Sequence, residues 1–161
     1  MGGANVIDKI KCENRLGSDK STSLIALLEK ARDNIEELPK DCSREDFTKA
    51  REIYRGKSQE QMEPWRIGAY QYLASFGARG FAGGYAPDKN GRHYYTERLN
   101  NLKEQAPFLK GISFKACDYK DFIPPFRSLI YCDIPYFGTK EYGYANEAKF
   151  DYNFYWDWVK E

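Results

Sequence analysis

The chain has almost no histidine, little cysteine and no long apolar run. His93 is its single histidine, and Cys12, Cys42, Cys117 and Cys132 are scattered with no Cys-x-x-Cys pair. Structural zinc centres need clustered Cys and His, and small disulfide scaffolds need paired cysteines, so neither fits this sequence. The thiols read as reduced and mostly buried, as expected of a cytoplasmic protein. His93 reads as a surface or packing residue, because nothing in the sequence identifies a partner for it. No stretch approaches the roughly 18 apolar residues needed to span a bilayer, and the opening residues do not read as a signal peptide, so no membrane contact is expected. Net charge is only +1, so there is no global basic field. Any contact with a nucleic acid must come from a local patch.

Aromatic residues, in contrast, are plentiful. They make up 16% of the 161 residues, enough both to fill a core and to stack on bases. The length fits one domain. The stretch around which the rest is organised runs from Ser128 to Thr139. Leu129, Ile130, Tyr131 and Cys132 have the length and composition of a buried strand, which stops at Asp133-Ile134-Pro135-Tyr136 because proline cannot continue it. An acid is thus expected at a strand's carboxyl end, where open α/β sheets bind ligands. Read locally, the same residues could be a strand-to-turn junction with a solvated Asp and a packed Tyr.

These residues carry a resemblance. Asp-Ile-Pro-Tyr resembles the Asp-Pro-Pro-Tyr signature of amino-methyltransferases. The longer Tyr-Cys-Asp-x-Pro-Tyr-x-Gly-Thr resembles adenine-specific (N6) DNA methyltransferases of the GATC-methylase and phage class. The resemblance implies an α/β fold, Rossmann-like and S-adenosylmethionine-dependent, with a partial sheet and a helical insert. It also implies double-stranded DNA as the partner. The exocyclic amine of adenine is a poor nucleophile, since its lone pair is delocalised into the ring. By resemblance, the Asp133 carboxylate and the Ile134 carbonyl accept its two hydrogens as it attacks a sulfonium methyl group. Pro135 fixes the turn and Tyr136 stacks on the flipped base. Ile134 departs from the family's usual proline. The role there belongs to a backbone carbonyl, and related RNA adenine methyltransferases carry an aliphatic residue at the same place.

Taken in order, the chain opens on Gly2-Gly3, which by resemblance form the turn that approaches the cofactor. Asn5 to Arg15 reads as either a short helix or an extended piece. A helix follows with Leu24, Leu28, Ala31, Ile35 and Leu38 on one face, capped by Ser18 or Asp19. By resemblance Asp19 ends a strand and binds the cofactor ribose; read locally it is a helix cap. Ser43 to Tyr54 reads as a helix with a capping box between Ser43 and Asp46. Gln59 to Phe76 reads as another, with Trp65, Ala69, Tyr70, Leu73 and Phe76 inward and Pro64 near its start.

The segment from Ser75 to Tyr95 is glycine-rich, mobile or sharply turned, and interleaves cations with aromatics. It resembles a loop of phage adenine methylases, and Arg79, Tyr85, Lys89 and Arg92 are its candidate DNA-binding residues. An ordinary solvated loop is the alternative. Tyr95 to Ala106 reads as a helix ended by Pro107, and Ile112 to Cys117 as a half-buried strand. That strand runs into Asp118 and Tyr119, which by resemblance hold the cofactor's adenine. Lys140 to Lys149 reads as a polar loop, and Phe150, Phe154 and Trp158 mark a last helix.

Three segments result. Residues 1–40 are part of the cofactor-binding half, 41–106 the helical and glycine-rich DNA-recognition insert, and 107–161 the catalytic part. The resemblance covers the middle of the family pattern, so a form truncated at both ends is expected. Three or four strands would remain, with a second chain completing the sheet. Two other functions fit the motifs: the same chemistry on an RNA adenine or a protein glutamine, or an inactive prophage remnant that only binds DNA.

Overall fold

The computed structural model describes residues 3–88, 92–135 and 150–160. Gly2, Lys89, Tyr136 and the loop from Lys140 to Lys149 lie outside the described residues. The architecture is mixed α/β: among the described residues, five helices accompany a parallel sheet of two strands.

Strand β1 (Arg15–Asp19) pairs with β2 (Ile112–Ala116), with Arg15 opposite Ile112 and Asp19 opposite Ala116. Both alternate as the pleat requires. Gly17 and Ile112 are buried on the helix-covered face, while Leu16, Ser113 and Lys115 point to the other face and are exposed. Helix α1 (Thr22–Asn34) follows β1 directly, and its cap is Ser21, whose Oγ accepts the Leu24 N–H at 3.3 Å. Ser18 and Asp19 do not cap it, because both still belong to the strand. Leu24, Leu28 and Ala31 are buried as their spacing requires. Beyond Asn34 the backbone tightens into a single turn, Ile35–Glu37, and Leu38 still reaches the core.

Helix α2 (Arg44–Tyr54) opens with the expected capping box, the Ser43 side chain receiving the Asp46 N–H and the Asp46 side chain receiving that of Ser43. Helix α3 (Pro64–Leu73) has proline in its first turn, where no intrahelical N–H is needed. It ends before Phe76, which points outward rather than inward. Helix α4 (Tyr94–Leu109) runs through Pro107 instead of stopping there. So close to the helix end the missing N–H removes only a terminal bond, and burial of Leu109 holds the last turn in place. Helix α5 (Tyr152–Lys160) is the expected terminal helix.

The strand expected at Leu129–Cys132 does not form. Pro125 accepts the Ser128 N–H at 3.2 Å and Arg127 has φ of 62°, so the chain turns away after Pro124-Pro125. Leu129 is 96% exposed and Phe126 90% exposed. A β-branched or aromatic run becomes a strand only when it pairs with a neighbour, and among the described residues this one pairs with none.

Residues from 1–40 and from 41–106 share one core: Leu27, Leu28, Phe47, Ala69, Leu99 and Ile112 belong to a single cluster. Burying each large apolar side chain contributes about 1.5–3 kcal/mol. The tightest contact is between α1 and α3. A Cβ added at Gly68 would fall inside contact distance of the Ser23 carbonyl oxygen and 3.0 Å from Leu27 Cβ. Beside it the Ser23 hydroxyl donates to Gln71 Oε1 at 2.7 Å, both residues being buried, and Ser21 Oγ lies 3.0 Å from the Tyr72 hydroxyl.

Two outcomes follow for stability. Gly68→Ala is expected to cost about 1–3 kcal/mol through overpacking, read as a lower urea midpoint at unchanged slope; an unaltered midpoint would show that the helices have room. The second concerns alkali. Burial pushes the Cys42 thiol up to about 12 from an ordinary value near 9, with repulsion from Asp46 and then Asp41 adding to it. Burial likewise raises Tyr95. Between those values the unfolded thiol has lost its proton and the folded one has kept it, so stability falls as pH rises, by up to about 1.4 kcal/mol per pH unit for one group. Thermal melts should show a decline beginning near pH 9, and Cys42→Ala should delay it toward the range where tyrosine titrates.

Candidate functional site

Parallel pairing brings two acids to one edge. The Cys117 N–H donates to the Asp19 carbonyl at 2.9 Å and the Ser18 hydroxyl to the Cys117 carbonyl at 3.3 Å, so Asp19 and Asp118 leave the sheet side by side at its carboxyl end. Each carboxylate is oriented by the backbone N–H two residues on: Asp19 accepts from Ser21 at 2.9 Å and Asp118 from Lys120 at 3.1 Å. A carboxylate offers about four lone-pair directions, so both can accept further hydrogen bonds from ligand hydroxyl or amino groups.

Tyr119 turns its ring into an aromatic cluster with α5. Its centroid lies 5.5 Å from Phe150, 5.6 Å from Trp158 and 5.8 Å from Tyr155. The Tyr119 hydroxyl is buried without a hydrogen-bond partner, and burial raises its pKa, followed by repulsion from Asp118 and Asp151. The neighbouring Cys132 thiol is the leading cause that pushes the Tyr155 hydroxyl up to about 12, with burial next. The Tyr152 hydroxyl donates to the Pro135 carbonyl at 3.1 Å. Asp133, Ile134 and Pro135 are therefore tethered to α5, and α5 to the residue after Asp118. Asp133 is exposed and Ile134 half-buried.

Gly3 lies elsewhere. Its carbonyl accepts from Gln105 Nε2 at 3.0 Å, near the end of α4, and the following Ala4 is buried in the core. Arg15, at the first position of β1, holds this region together by donating to the Ile7 carbonyl at 3.3 Å and to the Lys110 carbonyl at 2.8 Å. These partners sit at the amino-terminal ends of the strands, opposite Asp19 and Asp118. The structure does not bring Gly3 to the acids.

The glycine-rich segment is pinned rather than loose over its described part. Phe76 N–H donates to the Gly84 carbonyl at 2.9 Å and Ala86 N–H to the Ala74 carbonyl at 2.8 Å, closing a loop from Ala74 to Ala86. Arg98 of α4 donates to the Tyr72 carbonyl at 3.2 Å, to the Leu73 carbonyl at 3.1 Å and to the Ser75 carbonyl, fixing the loop's entry. Tyr85 is drawn inward: its hydroxyl donates to the Cys42 carbonyl at 2.9 Å and its ring packs on Phe47 at 5.7 Å. It anchors the loop instead of presenting a free face to a base. Arg79 is exposed at the tip, where Gly77 and Ala78 have φ of 63° and 55°. Arg92 is paired with Glu97 through two hydrogen bonds, of 2.7 and 3.2 Å, and Glu97 is held below its ordinary value chiefly by that contact. His93 does have a partner, Asp88, at 2.6 Å.

Sequence reasoning missed Ser21, Tyr72, Arg98 and Tyr155. Their roles come from contacts between elements distant in the chain, and no local pattern marks them. Comparison with protein-family models, curated proteins and solved structures finds no match to this chain.

Because α5 is held through the Tyr119 cluster, in which each ring pair is worth about 0.5–1.5 kcal/mol, Tyr119→Ala is expected to release it. The emission of Trp156 and Trp158 should shift to the red and cleavage within 150–160 should accelerate, with the main unfolding transition little changed. Unshifted emission would mean that α5 is held by other contacts.

Proposed function

We propose that this chain carries S-adenosylmethionine-dependent methyl transfer to the N6 amine of adenine in DNA, within a Rossmann-like α/β framework. The observation that carries the reading is the pair of adjacent parallel strands ending in Asp19 and Asp118, with the Asp133-Ile134-Pro135 segment tethered beyond them through α5. Ligands of open α/β sheets bind outside the carboxyl ends of the strands, and acids there accept from ribose hydroxyls. Asp19, oriented by the Ser21 N–H, suits a ribose, and Asp118 with the Tyr119 backbone suits an adenine amine.

S-adenosylmethionine, when bound, supplies an electrophilic sulfonium methyl group. The chain's own task is to make the adenine amine nucleophilic. Asp133 accepts one amine hydrogen and the Ile134 carbonyl the other, which localises the nitrogen lone pair as the new bond forms. Such acceptors act most strongly where charge develops in the transition state. Tyr136 stacks on the extruded base and Pro135 holds the turn. Exposure of Asp133 suits a group that meets its substrate from solution. The same chemistry on an RNA adenine is the second reading, favoured by the aliphatic residue at Ile134.

Calorimetric titration with S-adenosylmethionine tests the cofactor half. Binding weakened at least tenfold by Asp19→Ala is expected, consistent with loss of charge-assisted hydrogen bonds worth about 1.5–3 kcal/mol. No heat from a folded chain would remove the cofactor assignment. For the chemical step, Asp133→Ala should abolish methyl transfer to adenine-containing DNA while leaving cofactor binding intact. Transfer to RNA but not to DNA would select the second reading.

A further inference from the structure

The arginines of this chain fall into two groups. Arg32 and Arg92 are matched to Asp33 and Glu97, and Arg15 and Arg98 are committed to backbone carbonyls. Arg44, Arg51, Arg55, Arg66, Arg79 and Arg127 have no carboxylate partner among the described residues, and three of them, Arg44, Arg51 and Arg79, lie on α2 or in the loop from Ala74 to Ala86. Two of these three are nonetheless ordered. The Arg44 guanidinium lies 5.2 Å from the centroid of the Tyr85 ring, and that of Arg51 lies 6.0 Å from the Phe47 ring. Stacking on a ring fixes a guanidinium without neutralising it and leaves its edge N–H donors available, whereas pairing with a carboxylate occupies both the charge and the donors.

The rings beneath them form one platform that joins α2 to the loop from Ala74 to Ala86. Phe47 packs edge-on to Phe81 at 5.2 Å, Tyr54 lies 5.4 Å from Phe81, and Tyr85 is locked by its bond to the Cys42 carbonyl. The same loop carries Phe76, which is 62% exposed, and Arg79 two residues before Phe81. The Asp46 carboxylate on α2 is turned back onto the Ser43 N–H and hydroxyl.

We infer that α2 and this loop form one nucleic-acid contact surface, in which Arg44, Arg51 and Arg79 take backbone phosphates and Phe76 stacks on a base. Planar guanidinium forks match phosphate geometry, and an exposed ring on a braced loop stacks at little ordering cost. This surface rests on the reading of DNA as the partner and extends it to residues of α2. It shifts the phosphate contacts away from Arg92, whose charge is already matched by Glu97.

Fluorescence anisotropy with a short labelled duplex, over a series of salt concentrations, tests it on the full chain. Replacing Arg44 and Arg51 together by Gln should weaken binding at least tenfold at low salt and make the dependence of log K on log salt shallower by about 2, near 0.9 per phosphate contact. Phe76→Ala should weaken binding by about 5- to 150-fold with the slope unchanged. Lys103→Gln, on α4 and already paired with Glu36, should leave both unchanged, and thermal melts confirm that each variant is folded. If the wild-type chain binds the duplex and the arginine variant matches it in affinity and slope, the surface is overturned while DNA remains the partner. If the wild-type chain binds no duplex, the surface is overturned outright, and the calorimetric titration still decides the methyltransferase reading independently.

Discussion

Parallel pairing of β1 with β2 is the constraint on which the rest of this structure depends. Two parallel neighbours cannot be joined by a tight turn, so the chain must cross back over the sheet before the second strand can begin. Here α1 to α4 and their connections make that crossover, and they supply most of the core. The pairing also sets the register. Asp19 lies opposite Ala116, so the chain leaves the two strands at one edge, and Asp19 and Asp118 emerge together although they are far apart in sequence.

How the helices pack on that crossover decides what surrounds the edge. Gly68 lets α3 approach α1 closely enough for Ser23 to reach Gln71 and for Ser21 to reach Tyr72. Ser21 is also the cap of α1 and the residue whose N–H orients Asp19. A buried polar network of this kind stabilises only when its members are satisfied together. From the far end of α3, Arg98 continues the same bracing into the loop that carries Phe76 and Arg79. The acid edge and the loop thus stand on one set of packed helices.

Electrostatics distinguishes cations that hold the fold from cations that face outward. With a net charge of +1, the molecule has no broad field to draw a polyanion, so what matters is whether each guanidinium is already matched. Arg92 is matched and Arg44 is not, though both sit near aromatic rings, with Arg92 4.8 Å from the Tyr94 centroid. Composition ranks them alike. Only the position of Glu97, one turn into α4, separates them.

Much was legible in the sequence where the deciding interaction is local. The capping box at Ser43 and Asp46, the faces of α1 and the strand running into Asp118 follow from contacts spanning three or four residues or from alternation, and those patterns are written in the chain itself. The resemblance at Asp133-Ile134-Pro135-Tyr136 also pointed to the strand end at Asp19. What the sequence could not contain was partnership at a distance. The run Leu129–Cys132 has a strand's composition but pairs with no strand among the described residues, Tyr85 has a stacking residue's chemistry but is claimed by Phe47 and the Cys42 carbonyl, and Gly3 follows Ala4 to the opposite end of the sheet. Propensity and patterning state what a segment can do. Which of those options is realised depends on burial and hydrogen bonds supplied by residues elsewhere in the chain, and only the tertiary structure fixes those.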